Sequence, residues 1–103
     1  LAILELIMDN CLAGSNENDH EKHVRDFTQR MQSIVTPEEL SRRFSRSPRG
    51  YFTQREFLSL FRRQQSIGVV WKQYTSLNTD ELINQAIFKE ESGKILIDHC
   101  MIC

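Results

Sequence analysis

The sequence has few of the residues on which specialised folds depend. Three cysteines in 103 residues, an odd number, are too few for a disulfide framework, so we expect free thiols and a cytosolic or nuclear setting. Residues 1–12 are apolar, but Glu5 and Asp9 interrupt them, and the stretch is too short to span a bilayer. It also lacks the basic flank and the cleavage site of a signal peptide.

Motifs of catalysis and metal binding are also missing. The chain has no Gly-rich phosphate loop, no G-x-S-x-G and no H-E-x-x-H, so we expect neither an enzyme nor a cofactor. His20 and His23 are interpreted as exposed residues on a charged helix face. Cys100 and Cys103 have the spacing of a zinc half-site, but only His99 lies near them in the sequence, and we interpret them as buried structural cysteines.

What is present indicates one globular domain. Hydrophobic residues make up 40% and charged residues 26% of the chain, which fits a single domain over residues 1–103. Because the first residue is Leu1, we expect the domain to belong to a longer protein. The formal net charge of −1 hides a basic stretch that carries seven of the 13 Lys and Arg residues and favours an anionic partner. These seven residues are Arg42, Arg43, Arg46, Arg49, Arg55, Arg62 and Arg63.

The apolar periodicity predicts an all-α fold, a small bundle of about five helices. The predicted helices cover residues 1–12, 20–35, 36–44, 53–63 and 80–88. Asp19 and Thr36 are expected to cap the second and third of them, and Pro37 suits a first helical position. Residues 69–74 fit either a short strand or a helical turn, and we favour the helix. Residues 94–98 form a short apolar run that could pair as one small strand.

Gly50, Phe52 and Glu56 carry a resemblance to a known family. With Gly50 as the sixth place of a twelve-residue loop, residues 45–56 resemble an EF-hand, and Gly93 and Ile95 repeat the spacing of Gly50 and Phe52. The resemblance implies a pair of helix–loop–helix units. Arg49 stands at a place where the family has a calcium ligand, so we expect the loop to bind no Ca²⁺.

The two predicted central helices are consistent with two different functions. We favour a non-catalytic, regulatory interaction module that binds a protein or peptide segment in a helical groove lined by Phe44, Phe52, Phe57 and Phe61. The alternative is a helix-turn-helix nucleic-acid-binding domain in which residues 53–63 read the duplex and the basic stretch contacts phosphates. The six residues between Phe44 and Tyr51 are more than the turn of that motif normally has, which favours the interaction module.

Overall fold

Helices occupy the first half of the chain and strands the second. The computed structural model describes residues 1–46, 50–77 and 80–103, and for Arg46 the backbone alone. The elements are α1 (Ala2–Glu17), α2 (His20–Val24), α3 (Gln29–Ile34), α4 (Pro37–Arg46), β1 (Phe52–Arg62), β2 (Ser66–Thr75), β3 (Leu82–Glu91) and β4 (Lys94–Ile102). The strands form one antiparallel sheet in the order β1-β2-β3-β4. This is an α/β fold, and the prediction of an all-α helical bundle is wrong.

Local signals correctly place the helix starts. The Asp19 carboxylate accepts a hydrogen bond from the Lys22 backbone N–H at 3.2 Å, and Thr36 Oγ1 accepts one from the Glu39 N–H at 3.1 Å. Both are side-chain caps of the predicted kind. The helix predicted over residues 20–35 is split into α2 and α3, because Thr28 donates its N–H to the Ile97 carbonyl at 2.9 Å and so joins the edge of β4.

The EF-hand interpretation is wrong. Phe52 and Glu56, its expected eighth and twelfth loop places, lie in β1, and Gly93 lies in the tight turn that joins β3 to β4. Gly50 and Gly93 do adopt positive φ angles of 78° and 79°, but Gly50 lies two residues before β1 and Gly93 lies in the turn before β4. The expected turn at Pro48 lies outside the described residues.

The sheet has an inner face covered by the helices and an outer face turned away from them. Trp71 of β2 and Phe88 of β3 lie on the inner face, with ring centroids 6.3 Å apart in an edge-to-face arrangement. The α1 residues of the core are Leu4, Ile7, Met8, Cys11 and Leu12. Because β-branched and aromatic side chains fit a half-buried pleated surface, the second half of the chain is stable as a sheet once α1 covers one face. None of the helices in the described residues is long and apolar enough to cross a membrane.

Candidate functional site

A cavity of about 310 Å³ lies between the helices and the end of the sheet. Its apolar wall consists of Leu12, Phe27, Met31, Val35, Leu40, Phe52, Met101 and Ile102. Its polar side chains are Cys11, Ser15, His23, Arg43 and Cys100. The volume falls at the lower end of the range of small-molecule pockets, and the mixture of an apolar wall with a few polar groups is typical of them.

His23 is held in one orientation by α1. Its Nδ1 lies 2.7 Å from the Cys11 carbonyl oxygen, so this nitrogen carries the proton and donates it, and Nε2 keeps the lone pair. The Cys11 Sγ is 3.6 Å from the same Nδ1. Burial lowers the pKa of His23 from its ordinary value, and the nearby positive charge of Arg43 lowers it further. The prediction that His23 is exposed is therefore wrong.

The two thiols of the cavity are protonated. Burial raises the pKa of Cys11 well above its ordinary value and raises the pKa of Cys100 to about 12. A nucleophilic cysteine needs a thiolate, so neither group is prepared for covalent chemistry. The described residues also contain no cluster of three His, Cys, Asp or Glu that could hold a metal ion. Among the predicted buried cysteines, Cys100 is half-buried and Cys103 is exposed.

Arg43 places a positive charge where the cavity meets solvent. Its side chain is 52% exposed, and its Nε donates to Glu39 Oε1 at 3.0 Å. Arg42 binds the other oxygen of the same carboxylate, with its Nε 3.0 Å away. Hydrogen bonds from Arg42 and Arg43 lower the pKa of Glu39. Two guanidinium groups therefore share one carboxylate, and net positive charge remains at the opening.

We expect His23 to make stability depend on pH. Its folded pKa is lower than the unfolded value near 6.5, so the unfolded chain binds the proton more tightly. The stabilisation is complete above pH ~6.5 and is lost as the pH falls between the unfolded and the folded pKa, by at most about 1.4 kcal/mol per pH unit. Urea denaturation of the wild type and of His23→Gln through this range measures the difference.

The carboxylates act at lower pH and so do not obscure this effect. Asp98 and Glu81 have pKa values lowered from 3.8 and 4.5, so the stability they contribute is lost only below those values. A wild-type stability that stays constant from pH ~7 to ~5, or one that falls equally in His23→Gln, would contradict the assignment of His23 as a buried neutral base.

The four phenylalanines predicted to line one groove do not share a surface. Phe52 is buried and faces the cavity, whereas Phe44 and Phe57 are 42% and 41% exposed on α4 and β1. Phe61 is 53% exposed and borders a hollow on the outer face of the sheet. Phe44 and Phe52 do line one small cleft together, beside Tyr51. The role of these four side chains in partner binding stays a prediction, but they do not line the helical groove that was expected for them.

The predicted basic stretch is also divided. Arg42 and Arg43 lie on α4, and Arg43 lines the cavity together with Phe52. Arg62 is the last residue of β1 and Arg63 follows it, about 30 Å from Phe52 along a strand of this length. Arg55 is turned inward. The side chain of Arg46 and the whole of Arg49 lie outside the described residues.

Sequence reasoning missed the ionic cluster that holds α1 against the sheet. Arg55 Nε donates to Glu5 Oε1 at 3.0 Å, and its NH2 group lies 2.7 Å from the Asp9 carboxylate. Trp71 Nε1 donates to the other Glu5 oxygen at 2.9 Å, and the guanidinium lies 5.3 Å from the centre of the indole. A signal was available, since Glu5 and Asp9 are one turn apart within an otherwise apolar helix.

Comparison with known proteins identifies a solved structure with a similar fold. The chain is similar to a solution structure of a SEC-C motif containing protein from Rhodopseudomonas palustris, with a TM-score of 0.68 and 11% sequence identity. The match covers 92% of this chain and 74% of that chain. No family model and no curated protein matches the sequence. At this identity the likeness shows the fold alone, and the chain therefore shares the helix-then-sheet architecture of that SEC-C motif containing protein.

Proposed function

We propose that this domain is a non-catalytic binding module whose cavity takes a small, largely apolar molecule with an anionic group. The observation that carries the proposal is the 310 Å³ cavity, in which Arg43 is the only charged side chain among the lining residues that the structure describes. Apolar walls supply affinity through burial, and a guanidinium at the opening selects an anionic group.

The remaining polar groups fit a ligand that is neutral in its interior part. His23 offers a lone pair on Nε2, because its Nδ1 proton is held by the Cys11 carbonyl. The thiols of Cys11 and Cys100 stay uncharged because burial raises their pKa. An apolar chain can therefore lie along Leu12 and Phe27 without desolvating a charge.

The same arrangement favours binding over catalysis. A cysteine nucleophile would need a thiolate and a base positioned to take its proton. Here the nearer imidazole nitrogen of His23 is itself a donor, to the Cys11 carbonyl, and the Cys11 thiol has a raised pKa. The pair therefore serves to fix the wall of the cavity.

Straight-chain carboxylates test the proposal directly. We expect hexanoate, octanoate and decanoate to bind with dissociation constants that fall about fourfold for each added methylene until the cavity is full. Octanol, which lacks the charge, should bind more weakly than octanoate. Calorimetric titration measures the affinities, and amide chemical shifts of the cavity residues report the place of binding.

The matched controls are two arginine variants on the same helix. Arg43→Gln should weaken octanoate about fivefold and leave octanol unchanged, a modest effect because the guanidinium is half exposed. Arg42→Gln removes a cation that shares Glu39 but does not line the cavity, so octanoate affinity should not change. Equal effects of the two variants, or no binding by any carboxylate, would refute the proposal.

A second candidate, the interaction module, is favoured by apolar side chains on an edge strand. β1 lies at the edge of the sheet, and Phe57 and Leu58 are 41% and 51% exposed on it. An edge strand presents backbone groups to which an extended segment of another protein can add. Leu58→Glu should weaken such an association and leave octanoate binding unchanged, which separates the two candidates.

Nucleic-acid binding has less support. Residues 53–63, the proposed reading helix, lie largely in β1, and Arg55 is paired with Glu5 and Asp9. Arg42 and Arg43 share Glu39. The described arginines therefore do not form one basic face of the kind that follows a phosphate backbone.

A further inference from the structure

We propose that the outer face of the sheet binds a second copy of this chain, with the strands of the two sheets running in opposite directions. The face is more apolar than a solvated sheet face normally is. Phe61, Ile83 and Met101 are 53%, 51% and 46% exposed on it, and Val70 and Ile87 are half-buried between them. Such a surface, apolar at its centre, is typical of a protein interface.

The register arranges the outer face in rows across the strands. Phe61 pairs with Gly68, Gly68 with Ile87, and Ile87 with His99. Because Gly68 has no side chain, a hollow of about 280 Å³ lies in this row. The next row runs through Val70 and Gln85 to Met101, and a third contains Lys72 and Ile83. The hollow and the protruding Ile83 therefore lie toward opposite ends of one surface.

The two ends of the face carry opposite charge. Arg63, which lines the hollow, and Lys89 lie beyond the row of Phe61. At the other end Glu56 and Glu81 flank Lys72, whose Nζ is 3.6 Å and 2.7 Å from their carboxylates. Two carboxylates around one ammonium leave net negative charge. Glu91 and Lys94, also at the basic end, are paired in register and offset each other.

A two-fold axis that is parallel to the sheet and runs along the row of Val70, Gln85 and Met101 makes this surface complementary to itself. Such an axis, perpendicular to the strands, reverses the face end for end, so Arg63 and Lys89 of one copy meet Glu56 and Glu81 of the other. Rows on one face are about 7 Å apart, so the same rotation carries Ile83 of one copy toward the Gly68 hollow of the other. A second copy supplies both the charge match and the match of Ile83 with the hollow by symmetry, which is why we assign the face to it.

Sedimentation velocity across micromolar to millimolar concentrations of the 103-residue chain tests the proposal. We expect a concentration-dependent dimer. Arg63→Glu with Lys89→Glu makes both ends of the face negative, and Glu56→Lys with Glu81→Lys makes both ends positive. Each double variant alone should dimerise about tenfold more weakly than the wild type, because like charges then meet at both ends.

Mixing the two double variants is the decisive step. An equimolar mixture should form a heterodimer at least as tight as the wild-type dimer, because every negative end now meets a positive one. Ile34→Glu, on α3 and 51% exposed, is the control that should leave dimerisation unchanged. A wild-type chain that stays monomeric throughout would overturn the proposal and leave the face to a different protein. The proposal would also be overturned if the double variants dimerised with the same dissociation constant as the wild type, or if the mixture of the two did not associate.

Discussion

Replacing Arg55 by alanine is expected to lower the free energy of unfolding by about 3 kcal/mol, because it leaves the carboxylate of Glu5 partly buried without its cation. The Arg55 side chain is 9% exposed and bonds to Glu5 and Asp9 of α1, so the substitution removes the polar link between this helix and β1. Trp71 loses the cation over its ring in the same step. Urea denaturation followed by tryptophan fluorescence measures the loss.

Two comparisons make this prediction specific. Arg62→Ala removes an exposed arginine from the same strand and should change stability by less than about 0.5 kcal/mol. Glu5→Gln combined with Arg55→Ala should cost clearly less than the sum of the single substitutions, since each removes the partner of the other. If Arg55→Ala and Arg62→Ala were equally mild, the ionic cluster would contribute nothing to the fold.

This cluster also shows what the sequence could not convey about the basic stretch. Seven arginines between positions 42 and 63 are visible in the sequence, but the carboxylates that neutralise Arg55 lie 46 and 50 positions away from it. Charge density along a chain is a local property, and pairing is a property of the fold. The cavity could not be predicted for the same reason, since Cys100 lies 89 and 77 positions away from Cys11 and His23 in the sequence.

The helices in the first half of the chain could be predicted from the sequence because the signals that start them are local. A cap such as Thr36 or Asp19 acts within three residues, and both behave as the sequence indicates. The sheet could not be predicted from the sequence, and the β-bulges in its strands are one physical reason. The two-residue alternation that identifies a strand is broken in β1 between Phe57 and Ser59, and in β4 at Asp98, which lies between the partners of Ile87 and Phe88. What remains in residues 52–61 is an apolar spacing that equally fits a helix.

Introducing a single methyl group at Gly14 is the other change that we expect to be severe. A Cβ atom at this position would lie 2.4 Å from the backbone nitrogen of His23 and 2.5 Å from its Cα. Backbone atoms cannot rotate away, so α1 and α2 would have to separate. We therefore expect Gly14→Ala to destabilise the fold by about 2–3 kcal/mol, although alanine is favoured over glycine within a helix by up to about 1 kcal/mol.

Gly68→Ala is the matched control, because an added Cβ there meets nothing nearer than Phe61 Cβ at 3.6 Å, an ordinary contact. Its stability should stay within about 0.5 kcal/mol of the wild type. Because the α1–α2 contact also holds His23 against the Cys11 carbonyl, Gly14→Ala should weaken octanoate binding. Equal stability of the two variants would mean that α1 and α2 are not in backbone contact, and the wall of the cavity would then lack the support on which its binding role depends.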